Sequence, residues 1–425
     1  MRRVLVSALL ALASASLHAN ADPVLSTLHS FCKIDCGDGA SPQTPLLQDA
    51  NGNLFGVTNS GGTGGEGVVF ELLRKGAHYK FKVVYTFCSL ADCADGTLPQ
   101  GGLIEDVNGA FYGTATSGGA HNNGVVYELT PNKSGKAFKY KILYDFCALS
   151  KCADGSFPRG ALTYQGSQSG ALYDGVSPLY GSTASGGNNS GLGTAYELVR
   201  HHKNVTQTVL YTFCSLAKCS DGAQPSGALL PDGSGNLYGT AGDDIDGHGV
   251  LFELSPHSGH YTNTMLHKFC SSSGCADGDT PRDGLVSDGE GDIIGATWRG
   301  GTHDGNGVLF KVIPSGENSQ ESVIYDFCAA ANCADGAWPM GYIAVAPNGD
   351  LYGVTTNGGN DNDDDGTAFV IHGGVESVLY RFCSQPNCTD GQNSASLILG
   401  SGGNLFGVTA LGGENDDGTV FELTP

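Results

Sequence analysis

With 21 Lys and Arg against 43 Asp and Glu in 425 residues, the chain carries a formal charge of −22. That balance argues against nucleic acid or an anionic membrane surface as a partner. Glycine accounts for 66 residues, well above an ordinary share of about 7%; its positions recur along the chain, marking turns and crowded backbone rather than disorder.

The N-terminus reads as an export signal. Met1-Arg2-Arg3 is basic, Val4 to Leu17 is an apolar run with small residues, and Ala19-Asn20-Ala21 fits an A-x-A cleavage site. Residues 1–21 are therefore expected to be a signal peptide, and residues 22–425 a single domain that is periplasmic or secreted. No later apolar run approaches the roughly 18 residues of a membrane span, so no membrane insertion is expected.

A phrase built on Phe-Cys then occurs seven times. The pairs are Cys32 and Cys36, Cys88 and Cys93, Cys147 and Cys152, Cys214 and Cys219, Cys270 and Cys275, Cys328 and Cys333, and Cys383 and Cys388. The phenylalanines before them, from Phe31 to Phe382, are spaced 56, 59, 67, 56, 58 and 55 residues apart, a periodicity that marks a repeat architecture. In an exported chain, close pairs of this kind favour disulfides. Zinc is the competing reading, but a structural zinc wants four ligands and these pairs stand apart.

Residues 46–87 show one unit. Leu46-Leu47-Gln48 is a short strand, and Asn51-Gly52 is a hairpin signal leading to a second strand, Asn53 to Thr58. A variable loop opens at Ser60-Gly61-Gly62; Gly67 to Leu72 is a third strand and Lys82 to Phe87 a fourth. Nothing in the unit has helical periodicity. The second strand carries a central glycine in every unit (Gly56, Gly113, Gly181, Gly239, Gly295, Gly353, Gly407), which implies close packing against it. Aromatic residues on the third and fourth strands read as core between neighbouring units. The third unit alone lengthens its first hairpin, over Gln165 to Ser177, and this reads as a tolerated loop expansion.

Seven units of four antiparallel strands predict an all-β fold, a seven-bladed propeller. The chain enters on an unpaired fourth strand, Val24 to Phe31, and leaves after a third strand, Gly418 to Leu423. Pairing the two would close the ring and remove its open edge. The phrase G-N-L-Y/F-G-x-T, then G-G, G-x-V-F-E-L, L-Y-x-F and D-G-x-x-P resembles the GloVer-type tandem repeat of exported bacterial proteins. That resemblance covers nearly the whole mature chain and implies an exported, propeller-like protein; it carries no catalytic or binding residue with it.

In such a meander the loops after the second and fourth strands share one face, which gathers the cysteine loops and the variable Gly-Gly loops. Asp-Gly follows every cysteine pair (Asp38, Asp95, Asp154, Asp221, Asp277, Asp335, Asp390), so this Asp is read as a turn residue accepting backbone N–H groups. In one variable loop Asp361, Asp363 and Asp365 have the D-x-D-x-D-G spacing that suits calcium, without the distant glutamate of a full site. Trp298 and Trp338 are the only tryptophans, and with Arg299 they make a candidate platform for a sugar ring.

No catalytic signature such as G-x-S-x-G or H-E-x-x-H is present. The expected function is a non-catalytic binding module, monomeric, for a carbohydrate or an extracellular protein. The alternatives are a polysaccharide-degrading hydrolase or lyase using acidic loop residues, and a structural envelope protein.

Overall fold

A computed structural model describes residues 23–135, 137–188, 191–202, 204–243, 247–359 and 365–424. The expected signal peptide lies outside them. The first blade runs Leu47–Gln48, Leu54–Val57, Val68–Lys75 and His78–Thr86, and its strands pair in sequence order. Seven such antiparallel sheets follow one another around an axis; in the fourth the innermost strand is split into Ala223–Pro225 and Leu230–Pro231. The seventh blade is assembled from both termini, since Val24–Ser30 pairs with Thr419–Thr424 from Val24↔Thr424 to Ser30↔Thr419. The ring closes as expected. No helix among the described residues is long and apolar enough to cross a membrane.

The core lies between blades. Each phenylalanine that precedes a cysteine pair meets the third-strand aromatic of the next blade, Phe31 on Phe70, Phe87 on Tyr127 and so on to Phe382 on Phe421. The seven centroid distances fall between 4.9 and 5.2 Å. All seven of these phenylalanines are fully buried, so the aromatic reading holds. The second-strand glycines have the expected cause: a Cβ on Gly56 would stand 2.5 Å from Phe70 Cζ, and one on Gly353 would stand 2.5 Å from Phe369 Cζ.

The third-blade hairpin does more than lengthen a loop. Tyr173 donates its N–H to the Glu105 carbonyl at 3.0 Å, and its own carbonyl accepts the N–H of Val107 at 2.9 Å. Its buried ring meets Tyr112 of the second blade edge-on at 5.3 Å. Beside it Arg200 pairs with Glu128 at 3.0 Å, again from blade to blade. The insertion straps two blades together on the face opposite the cysteine loops.

Candidate functional site

Disulfides close all seven cysteine pairs: Cys32 with Cys36, Cys88 with Cys93, Cys147 with Cys152, Cys214 with Cys219, Cys270 with Cys275, Cys328 with Cys333, and Cys383 with Cys388. No free cysteine remains among the described residues, so the zinc alternative falls for want of thiolates. The loops also hold local structure that the sequence reading did not anticipate. Cys93, Cys219 and Cys333 each end a single 3-10 turn, over Ala91–Cys93, Ala217–Cys219 and Ala331–Cys333. These three cysteines have positive φ of 50–52°, and their carbonyls accept the N–H of Gly96, Gly222 and Gly336 at 2.8–2.9 Å. One turn is too short to show a helical period, which is why the apolar pattern gave no sign of it.

Each loop is organised by its Asp. Asp154 accepts the Ala148 and Leu149 N–H groups at 3.0 and 3.2 Å and the Tyr144 hydroxyl at 2.8 Å. Asp221, Asp335 and Asp390 repeat the pattern with Tyr211, Tyr325 and Tyr380, while Asp277 and Asp38 take His267 and His29 in the tyrosine's place. Burial pushes Asp95 upward, but hydrogen bonds from Tyr85, Ser89 and Leu90 outweigh it and hold the carboxyl below its usual range. The repeated Asp is a structural turn residue, as its recurrence implied.

The residues after the Asp shape the axis. Two positions beyond each Asp-Gly comes a residue with positive φ: Ser41, Leu98, Phe157, Gln224, Thr280, Trp338 and Asn393. Its N–H donates to a carbonyl of the preceding blade, for example Leu98 to Glu66 at 3.1 Å and Trp338 to Asn306 at 2.8 Å. In six of the seven the next residue is a proline that packs on the glycine opening the neighbour's third strand; a Cβ on Gly307 would lie 2.7 Å from Pro339 Cδ. These contacts fix the chain so that the residue after each proline lines the axial opening. Those residues are Gln43, Gln100, Arg159, Ser226, Arg282 and Met340, and they surround a polar cavity of about 420 Å³.

The floor of this funnel is made by one side chain. Where other blades carry small residues such as Gly102, Ala161, Ala228 and Gly284, the sixth has Tyr342, whose oxygen receives the backbone N–H groups of Ala161 and Ala228 from the third and fourth blades. Gly284 is obligatory beneath it, because a Cβ there would overlap the Tyr342 ring. Burial drives the Tyr342 hydroxyl well above its usual range, so it is neutral at any working pH. Asp283, at φ 64°, accepts the Gly341 N–H at 2.8 Å on the same wall. Burial raises its carboxyl above the ordinary value despite that hydrogen bond and the nearby Arg282.

Trp298 and Trp338, from the fifth and sixth blades, come together at 5.4 Å with their planes 59° apart. Arg282 lies over the Trp298 ring at 4.3 Å and Arg299 at 4.7 Å, so Arg282 joins the indole pair to the cavity. Trp298 is covered by guanidinium groups, unlike an open platform, and it acts to hold two arginines in place. Sequence reasoning found this cluster but missed the funnel. The available signal was the variable residue after the D-G-x-x-P that six of the seven units share.

Of the calcium-type residues, Asp361 and Asp363 lie outside the described residues. Asp365 is buried and accepts the Gln392 amide at 2.6 Å, which commits one of its oxygens to the next blade. His248 pairs with Asp279 and His303 with Asp326, each at 3.1 Å. Where cysteine sulfurs cluster with His248, Asp417 or Asp365, they belong to disulfides and offer no thiolate.

Residues 17–177 and 174–421 match the Gloeobacter/Verrucomicrobia repeat. The chain belongs to that family. No curated protein matches this repeat protein. Among solved structures, it is similar to the extracellular domain of the putative hybrid two component system BT4673 from B. thetaiotaomicron, at 13% identity and a TM-score of 0.54, over 93% of this chain and 39% of that one. The corresponding domain of BT3049 from B. thetaiotaomicron gives 12% identity and a TM-score of 0.53, over 91% and 40%. The repeat protein thus spans about two-fifths of each neighbour's length, and at such identities the likeness speaks for the propeller fold alone.

Proposed function

We propose that this repeat protein is a non-catalytic binding module that takes a carbohydrate on its disulfide-loop face, at the axial funnel and the adjoining Trp298–Trp338 pair. One observation carries the reading: the only two tryptophans, from different blades, meet at 5.4 Å, and Arg282, which lies over Trp298, also lines a polar cavity of about 420 Å³. A concave, polar opening close to the indole of Trp338 suits a sugar, whose rings present both apolar faces and many hydroxyl groups. Tyr342 crosses the axis beneath the opening, which favours a chain end over a threaded polymer. Asp283 is the one carboxylate among the described residues lining the cavity, whereas glycoside hydrolysis ordinarily uses two.

The test is retention of the oxidised protein on a panel of polysaccharides, with released chain ends assayed in parallel. Retention without release, weakened at least tenfold by Trp338→Ala, is the expected result. Release of chain ends abolished by Asp283→Asn would make the protein a hydrolase or lyase. No retention at all would leave a structural envelope role.

A further inference from the structure

We infer that the axial funnel is a carboxylate socket, in which Arg159 and Arg282 grip the acidic end of the bound saccharide. This rests on the binding-module reading above and names the ligand class it leaves open.

Arginines are few in this chain and unevenly placed. After the expected leader there are only six: Arg74, Arg159, Arg200, Arg282, Arg299 and Arg381. Arg200 is paired with Glu128, Arg381 donates to the Ala334 carbonyl and Arg74 to that of Gly76. The other three gather at the funnel: Arg159 and Arg282 line it, and Arg299 shares the Trp298 ring with Arg282. None of these three has a carboxylate within ion-pair distance among the described residues, in a protein with twice as many acidic as basic residues.

Their chemistry is that of carboxylate recognition. A guanidinium presents a planar fork of N–H donors matched to the two oxygens of a carboxylate. Stacking on Trp298 restrains Arg282 and leaves the edge of its fork for a ligand. The nearest acid, Asp283, is turned to the Gly341 N–H, and its burial favours the neutral form, so it opposes an incoming anion weakly. Gln43, Gln100 and Thr280 line the same space and suit the hydroxyl groups beside the carboxylate. The net charge of −22 narrows the ligand further, because a polyanion would be repelled by the rest of the surface while one acidic end would not.

Cellobiouronic acid and cellobiose differ only by a carboxylate and make the direct test, with free glucuronate and polygalacturonate as further arms. Binding is read by calorimetry and by tryptophan emission, which reports on Arg282 because that guanidinium lies over Trp298 and the only other tryptophan packs against it. The acidic disaccharide should bind about tenfold or more tightly than cellobiose, as a charge-assisted contact predicts. Arg159→Gln and Arg282→Gln should each remove that preference, so that a variant binds the acidic disaccharide no more tightly than it binds cellobiose. Both variants copy the residue that the first and second blades carry at this position, Gln43 and Gln100, so folding is preserved. Free glucuronate should share the preference, and polygalacturonate should bind more weakly than the disaccharide at equal molarity of chains.

Equal affinity for the two disaccharides, or a preference that survives both substitutions, would overturn the socket and leave the binding module standing. Tighter binding of polygalacturonate would overturn it as a chain-end site. Silence from every sugar would end both readings.

Discussion

Replacing Glu321 and Glu376 together by Gln should raise stability at pH 8 and leave it almost unchanged at pH 4. Both residues occupy one register position on the outermost strand of a blade, opposite Val312 and Ile371. In three other blades that position carries a hydrogen-bond donor. Tyr140 donates to the Asp95 carbonyl, Gln207 to that of Asp154 at 3.0 Å and Asn263 to that of Asp221 at 3.2 Å, tying each blade to the disulfide loop before it. An ionised glutamate cannot donate, and one carboxyl oxygen of each residue, Oε1, is buried without a partner. Burial, reinforced by Asp277 for Glu321 and by Asp335 for Glu376, raises both from 4.5 to about 7; Arg381 pulls Glu376 the other way.

A carboxyl that binds its proton more tightly in the folded state stabilises fully below about pH 4.5, and that contribution is lost as pH rises through about 7. At about 1.4 kcal/mol for each tenfold change in proton affinity, the ceiling is about 3 kcal/mol per site. The side chains are only half-buried, so solvent screening reduces this to about 1–2 kcal/mol each. His29 and His267 are pushed below their usual value by burial and therefore act oppositely, losing stability as pH falls below 6.5. Their contribution cancels when the variant is compared with the parent at each pH. Urea unfolding at pH 4, 6 and 8 gives that difference. The variant should gain about 2–4 kcal/mol on the parent between pH 4 and pH 8; a difference that does not change with pH would refute the reading that folding raises the proton affinity of these two carboxyls.

Three further outcomes follow from the fold. Replacing Cys147 and Cys152 together by Ser should cost about 2 kcal/mol in the chain-entropy account, read by urea unfolding, because the closed loop is short. Gly353→Ala forces a Cβ to 2.5 Å from the Phe369 ring and should destabilise by about 1–3 kcal/mol in thermal unfolding, whereas Gly374→Ala, with open space around it and only its positive φ against it, should cost about 1 kcal/mol. Asp221→Ala strands the Tyr211 hydroxyl and the Ser215 and Leu216 N–H groups and should cost about 3 kcal/mol, with faster hydrogen exchange confined at first to that disulfide loop.

Much of this architecture was legible because it is repeated. Strand order follows from alternating apolar runs broken by Asn-Gly and Gly-Gly, and ring closure from an unmatched strand at each end. The glycine of the second strand announces the ring packed on it, since the same requirement arises in every blade. Features that occur once had no such amplification. Tyr342 occupies a position where four other blades have glycine or alanine and the remaining two have Pro45 and Ser396, and nothing local to Gly341-Tyr342-Ile343 says that its side chain will cross the axis. The arginines of the funnel stand after prolines whose neighbours are Gln, Ser or Met elsewhere, so no motif contains them. Glu321 and Glu376 look like solvated strand residues until the register aligns them with Tyr140, Gln207 and Asn263. The third-blade hairpin was visible as an insertion, but its docking through Tyr173 depends on the blade before it.

The division between constant and variable positions also has a physical basis. A residue that joins one blade to the next is held nearly constant, because each blade presents the same socket to its neighbour: Phe on an aromatic and an N–H on a carbonyl at all seven junctions, proline on glycine at six. A residue facing the axis meets open space, so its identity is free to differ from blade to blade without straining the ring. Asymmetry is therefore expected to collect along the axial funnel, and there the third blade contributes Arg159, the fifth Arg282 and Asp283, and the sixth Tyr342, with Trp298, Arg299 and Trp338 joined to it through Arg282. The first and second blades place Gln43 and Gln100 around the same opening. The proposed ligand would meet the guanidinium groups of Arg159 and Arg282 on one side and the neutral amides of Gln43 and Gln100 on the other, which would orient it about the axis as well as along it.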